Sequence, residues 1–190
     1  MTAPVPLLPP PARRSTLWGR FRTRFLDDPI ATDAFAGLLA ATQPPRAVVF
    51  LHGDLGAGKS TLARAWLRAL GVEGAIRSPT YTLVEHYPLV AGGRALHLDL
   101  YRIGDAGELE FLALDDADAT LWLVEWPERG ARALPAPDLD VALSLDGAGR
   151  LARLSAGTPI GAAWLARLGQ NAQLQAFPES APEEGSAGIG

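Results

Sequence analysis

The sequence contains no cysteine, so disulfides, thiolate metal sites and a cysteine nucleophile are excluded. Lysine is nearly absent too: of seventeen basic residues only Lys59 is not arginine. No uninterrupted apolar run is long enough to cross a bilayer. The short apolar stretch Val5-Pro6-Leu7-Leu8 is broken by proline and precedes its arginines, the wrong order for a secretory signal. These absences lead us to expect a cytoplasmic protein with no membrane segment. The three histidines, His52, His86 and His97, lack metal-ligand spacing. A net charge of -4 gives no strong electrostatic reason to bind nucleic acid unaided.

What remains is enough for one domain. The chain has 190 residues, 48% of them apolar, which suffices for a buried core. Residues 1–21 are rich in proline and arginine and lack periodicity, as expected of a flexible tail. The acidic stretch 171–190 has a similar tail-like composition. The domain is therefore expected over 22–170.

Within it the elements alternate. Thr32–Ala41 reads as a helix packing Phe35, Leu38 and Leu39. Ala47–Leu51 and Leu121–Val124 are short apolar runs of the buried-strand kind. Ser60–Leu70 reads as a helix with Gly71 as its C-cap and Trp66 in the core. Tyr81–Tyr87 and Ala95–Tyr101 read as strands. In the second, Leu96, Leu98 and Leu100 face one way and His97, Asp99 and Tyr101 the other. Glu108–Leu114 reads as a short helix. Leu139–Leu145 and Arg150–Ser155 flank Asp146-Gly147-Ala148-Gly149 as a hairpin would. Ile160–Leu168 is a last helix, with Gly169 as its cap. The pattern predicts a three-layer α/β fold of P-loop NTPase type, with a mixed, mostly parallel sheet and a C-terminal β-hairpin.

Gly53-Asp54-Leu55-Gly56-Ala57-Gly58-Lys59-Ser60 fits the pattern G-x-x-x-x-G-K-[ST]. Each part has a physical purpose. The glycines let backbone N–H groups turn onto phosphate oxygens. The lysine reaches the β- and γ-phosphates, and the serine hydroxyl is a Mg²⁺ ligand. The helix that follows aims its positive end at the anion. A dinucleotide site is excluded by spacing, because the glycines read G-x-x-G-x-G rather than G-x-G-x-x-G.

A phosphate loop needs a carboxylate at the end of a neighbouring strand, for metal or for water. Asp99 and Glu125 both qualify, and spacing does not divide those two roles between them.

Together these motifs resemble the TsaE-type (YjeE-type) ATPases of bacterial tRNA threonylcarbamoyladenosine biosynthesis. The matching segments are Gly53–Thr61, Ser78-Pro79-Thr80-Tyr81-Thr82-Leu83-Val84, His97-Leu98-Asp99-Leu100-Tyr101-Arg102, Glu108-Leu109-Glu110-Phe111, Val124-Glu125-Trp126-Pro127-Glu128 and Leu134-Pro135, in the family's order. The resemblance implies that Gly53, Asp54, Leu55, Gly56, Ala57, Gly58, Lys59, Ser60 and Thr61 bind ATP. It implies Mg²⁺ on Ser60 and Glu125, Thr80 contacting the nucleotide from a switch-like loop, and Lys59, Asp99 and Glu125 serving hydrolysis. Trp126 is important in the family. The implied partners are TsaD and TsaB, with tRNA met indirectly through that complex. Departures are Ser60 in place of the usual threonine and Phe35-Ala36 in place of Leu-Gly. Adenine contacts are confined to a region, Asp28–Thr32. Two further readings are a small-molecule P-loop kinase, with Arg102, Arg129 and Arg132 as candidate cations, and a non-catalytic nucleotide switch.

Overall fold

A computed structural model describes residues 22–104, 109, 114, 119–130 and 133–179. The expected N-terminal tail, most of the Glu108–Leu114 helix, Arg132 and the last eleven residues lie outside the described residues.

The elements follow the order β1 (Arg22–Leu26), α1 (Pro29–Thr42), β2 (Ala47–His52), α2 (Lys59–Ala69), β3 (Val84–Pro88), β4 (Arg94–Asp99), β5 (Ala119–Glu125), β6 (Leu139–Asp146), β7 (Gly149–Ala156), α3 (Pro159–Gln170) and α4 (Ala172–Gln175). One seven-stranded sheet runs β1-β7-β6-β2-β5-β4-β3. Its middle, β6-β2-β5-β4, is parallel. β3 closes one side antiparallel to β4, and β7 and β1 extend the other by antiparallel pairing. The sheet is thus mixed, with only β3 and β7 running against the rest.

The central strands bury both faces, which is why they read as continuous apolar runs. Along β2, Ala47, Val49 and Leu51 enter the core beneath α1, α2 and α3. Val48 and Phe50 enter a second cluster on the other face, with Leu96, Leu98 and Val124. Leu100, Ile103, Leu109, Leu114 and Leu134 cover that second cluster.

Local chemistry sets the helix ends. α1 begins earlier than Thr32, because Asp28 caps the N–H of Ala31 at 2.7 Å and Pro29 occupies the first turn. Gly71, at φ 83°, closes α2 in a Schellman arrangement, with Gly71 N–H on Arg68 C=O and Val72 N–H on Leu67 C=O. Trp66 is fully buried and meets Trp164 edge-on at 6.0 Å. Thr158 caps α3 through the N–H of Gly161. Gly169 does not cap α3: the helix continues to Gln170 and Asn171 is the C-cap. A side chain at Gly169 would collide with the guanidinium of Arg22, so this glycine serves a close approach.

Three other expectations change. β1 was not read as a strand; its five residues carry two arginines, and its partner β7 defines it. β3 begins at Val84 rather than Tyr81, because Leu83 turns the chain at φ 64°. Residues 171–179, read as tail, pack on the domain. Leu174 is fully buried, Phe177 meets Phe35 edge-on at 5.4 Å, and Arg24 pairs with Glu179 at 2.6 Å. A four-residue helix and one phenylalanine are too short to show periodicity.

Candidate functional site

The Gly53–Ser60 loop joins β2 to α2 at the carboxyl edge of the parallel strands, where open α/β sheets hold ligands. Gly53, at φ 133°, runs against β6, and a Cβ there would collide with the carbonyl oxygen of Leu143. Gly58 is the N-cap of α2 and offers no side-chain acceptor, so the helix's first N–H groups are capped by no side chain. That end is suited to an anion.

Lys59 is the buried cation of the loop, 4% exposed. Its Nζ donates to the carbonyls of Gly53 at 2.6 Å and Asp54 at 2.9 Å. The ring of Trp126 covers it, 3.9 Å from Nζ to centroid. Burial lowers the lysine's pKa from its ordinary value; Glu125, Asp99, Glu128 and Asp54 pull the other way.

Parallel pairing of β4 with β5 sets Asp99 opposite Glu125. Both are buried, at 5% and 2% exposure. Ser60 Oγ donates to Glu125 Oε2 at 2.7 Å. Thr80 Oγ1 donates to Asp99 Oδ2 at 2.8 Å, and the Tyr101 N–H reaches Asp99 Oδ1 at 3.1 Å. Ser78 Oγ lies 2.9 Å from Thr80 Oγ1. The turn before β3 is thereby tied to the end of β4.

Trp126 follows Glu125 in left-handed backbone, φ 56° and ψ 48°. For a tryptophan this conformation is strained. It turns the ring off the strand and over Lys59, where it also meets Tyr101 at 5.0 Å.

These groups surround a cavity of about 310 Å³ lined by Leu55, Gly56, Gly58, Lys59, Ser60, Thr61, Thr80, Asp99, Glu125 and Trp126, with Arg64, Tyr101 and Arg150. The site residues read from the sequence therefore converge, Gly53, Asp54 and Ala57 shaping the loop behind them. Asp28, the start of the region suggested for adenine, caps α1, and none of residues 28–32 lines this cavity. Mg²⁺ takes one or two protein oxygens beside water and phosphate, and the adjacent hydroxyl and carboxylate of Ser60 and Glu125 suit that donor set.

Two further residues reach the site, and the sequence assigns neither a role there. Arg150, at the start of β7, donates from Nε to the Ala57 carbonyl at 3.1 Å and brings a guanidinium to Gly58. Its place depends on the hairpin folding back over the loop, which no local pattern announces. His97 is fully buried, with Nε2 2.8 Å from Glu125 Oε1. Its signal was its position two residues before Asp99 on the same strand face.

Comparison with known proteins gives the chain's relatives. The family model described as "Threonylcarbamoyl adenosine biosynthesis protein TsaE" matches residues 26–152. A Haemophilus influenzae protein named tRNA threonylcarbamoyladenosine biosynthesis protein TsaE is 43% identical over 130 residues, covering 67% of this chain and 82% of that protein. A Bacillus subtilis protein of the same name is 35% identical over 127 residues, covering 63% and 75%. The crystal structure of YdiB from Bacillus subtilis superposes with a TM-score of 0.65 at 25% identity, covering 80% of this chain and 95% of that one. A family model matched over residues 26–152 and relatives at 35–43% identity, with a glycine-rich loop facing two strand-end carboxylates, make this chain a member of the TsaE family of threonylcarbamoyl adenosine biosynthesis proteins.

Proposed function

We propose that this protein binds and hydrolyses ATP with Mg²⁺, in support of threonylcarbamoyl modification of the adenosine beside the anticodon in tRNA. The observation that carries the reading is the meeting of Lys59, Ser60, Asp99 and Glu125 in one cleft at a helix N-terminus.

Gly53–Thr61 bind the triphosphate through backbone N–H groups. Lys59 leaves its two loop carbonyls for the β- and γ-phosphates. Arg150 adds a second cation beside Gly58. Ser60 and Glu125 would hold Mg²⁺, which when bound would supply positive charge against the phosphates. Asp99, fixed by Thr80 and the Tyr101 N–H, orients the attacking water.

The family name supports a place in a tRNA-modifying assembly, and we assign TsaD and TsaB as the partners. A chain of net charge -4 is a poor tRNA binder alone, so tRNA is met through those partners, in the cytoplasm. Exposed groups beside the cleft support docking there: Leu55 is 74% exposed, and Tyr81, under the Arg102 guanidinium, is 82% exposed.

The test is phosphate release from ATP, with and without Mg²⁺, by the protein alone and with TsaD–TsaB. Slow turnover that rises with the partners is expected. Absence of nucleotide binding would refute the site. Binding and hydrolysis without any ATP-dependent association would refute the partners alone.

A further inference from the structure

Glu125 is held on two sides. Ser60 Oγ occupies Oε2 at 2.7 Å, and His97 Nε2 lies 2.8 Å from Oε1. The histidine comes from β4, where it is in register with Leu123, so it reaches diagonally across the parallel pair to the carboxylate two residues on. Its side chain is wholly excluded from solvent. Its other nitrogen, Nδ1, is buried with no hydrogen-bond partner among the described residues.

That orphan is informative. A buried polar atom without a partner is unfavourable, and a leucine would fill similar space without it. What leucine lacks is a donor at the ε position. An ionised carboxylate oxygen only accepts, so Nε2 carries the hydrogen of this bond; in a neutral ring Nδ1 then keeps its lone pair. Among the described residues the ring therefore has one polar contact, and it is to Glu125.

We infer that His97 is a positioning residue for Glu125, holding Oε1 so that Oε2 stays turned toward Ser60 and a divalent cation there. The inference rests on the functional reading above. A carboxylate free to rotate about its last torsion would divide its time between orientations. One pinned at Oε1 presents Oε2 in a single direction, which is how outer contacts raise the affinity of a ligand set.

The experiment measures binding of a non-hydrolysable ATP analogue at graded Mg²⁺ and, separately, in excess chelator. His97→Leu removes the donor, and His97→Gln restores an N–H near the ε position. The Mg²⁺ concentration at half-effect is expected to rise roughly tenfold or more in His97→Leu, within the range for lost outer contacts. His97→Gln should recover most of that loss, and affinity in chelator should be the same for all three proteins. A folded His97→Leu protein with an unchanged Mg²⁺ midpoint would overturn the inference. So would a loss of equal size in chelator, which marks general damage. If His97→Leu does not fold, His97→Gln is compared with His97→Asn, whose N–H lies near the δ position; equal midpoints would again overturn it. A wild-type protein whose analogue affinity ignores Mg²⁺ would refute the functional reading and this inference with it, an outcome distinct from one in which only the variants fail to differ.

Discussion

Ser60 Oγ donates to Glu125 Oε2 at 2.7 Å, joining the first turn of α2 to the end of β5 across 65 positions of sequence. Removing the hydroxyl in Ser60→Ala leaves one protein oxygen fewer for Mg²⁺. The Mg²⁺ needed for half-maximal ATPase should rise by about tenfold or more, while Ser60→Thr, which keeps a hydroxyl, should retain most activity. A Mg²⁺ titration checks both, and an unchanged midpoint in Ser60→Ala would remove Ser60 from the metal site.

Lys59 should be dispensable for folding and indispensable for nucleotide. Its pKa is lowered in the folded protein, chiefly by burial. Below the folded pKa both states are protonated and the folded state carries the full desolvation penalty. Between the folded pKa and 10.5 the unfolded chain binds more protons, so this lysine's contribution to stability improves as pH rises. Lys59→Met should therefore fold at neutral pH, bind ATP poorly, and lack that alkaline improvement. Denaturant unfolding of both proteins from pH 7 to 10 checks the sign. A growing advantage of the methionine variant with pH would contradict it.

Asp99→Asn keeps the volume and removes the charge that Thr80 and the Tyr101 N–H address. ATP–Mg²⁺ binding should persist while single-turnover hydrolysis falls by roughly 10²–10⁴. If Asp99→Asn instead needs more Mg²⁺ and Glu125→Gln hydrolyses slowly from a normal complex, the two carboxylates have exchanged roles.

Trp126 is in the left-handed region, where a side chain costs about 1–2 kcal/mol and glycine is free of that cost. Trp126→Gly should consequently be more stable than Trp126→Ala by about 1 kcal/mol in urea unfolding. Both should lose the ring over Lys59 and show altered ATP affinity. Equal stability of the two would show that the turn relaxes when the ring is gone.

Ending the chain at residue 170 should destabilise it relative to ending it at 179. Leu174 is fully buried and Phe177 partly so, and losing both costs roughly 2–4 kcal/mol. That corresponds to a fall in Tm of about 10 °C. Nucleotide affinity below the transition should hold, since neither residue lines the cleft at Lys59 and Ser60. Calorimetry of the two truncations decides.

The sequence by itself determined the glycine-rich loop, its flanking strand and helix, and the strand ends that carry Asp99 and Glu125. These are local: glycine spacing, an apolar run of strand length and a helix start lie within about twenty residues of one another. Tertiary structure alone decided which groups meet. The β4–β5 register brought Asp99 opposite Glu125 and let His97 reach that carboxylate. The fold-back of the β6–β7 hairpin carried Arg150 to Ala57. The left-handed turn at Trp126 put an aromatic ring over Lys59. β1 and the packed segment after α3 were illegible for the same reason. A five-residue strand with two arginines, and a buried Leu174 in a single turn of helix, have no periodicity of their own. Each is stabilised by surfaces, β7 and α1, that exist only once the rest has folded.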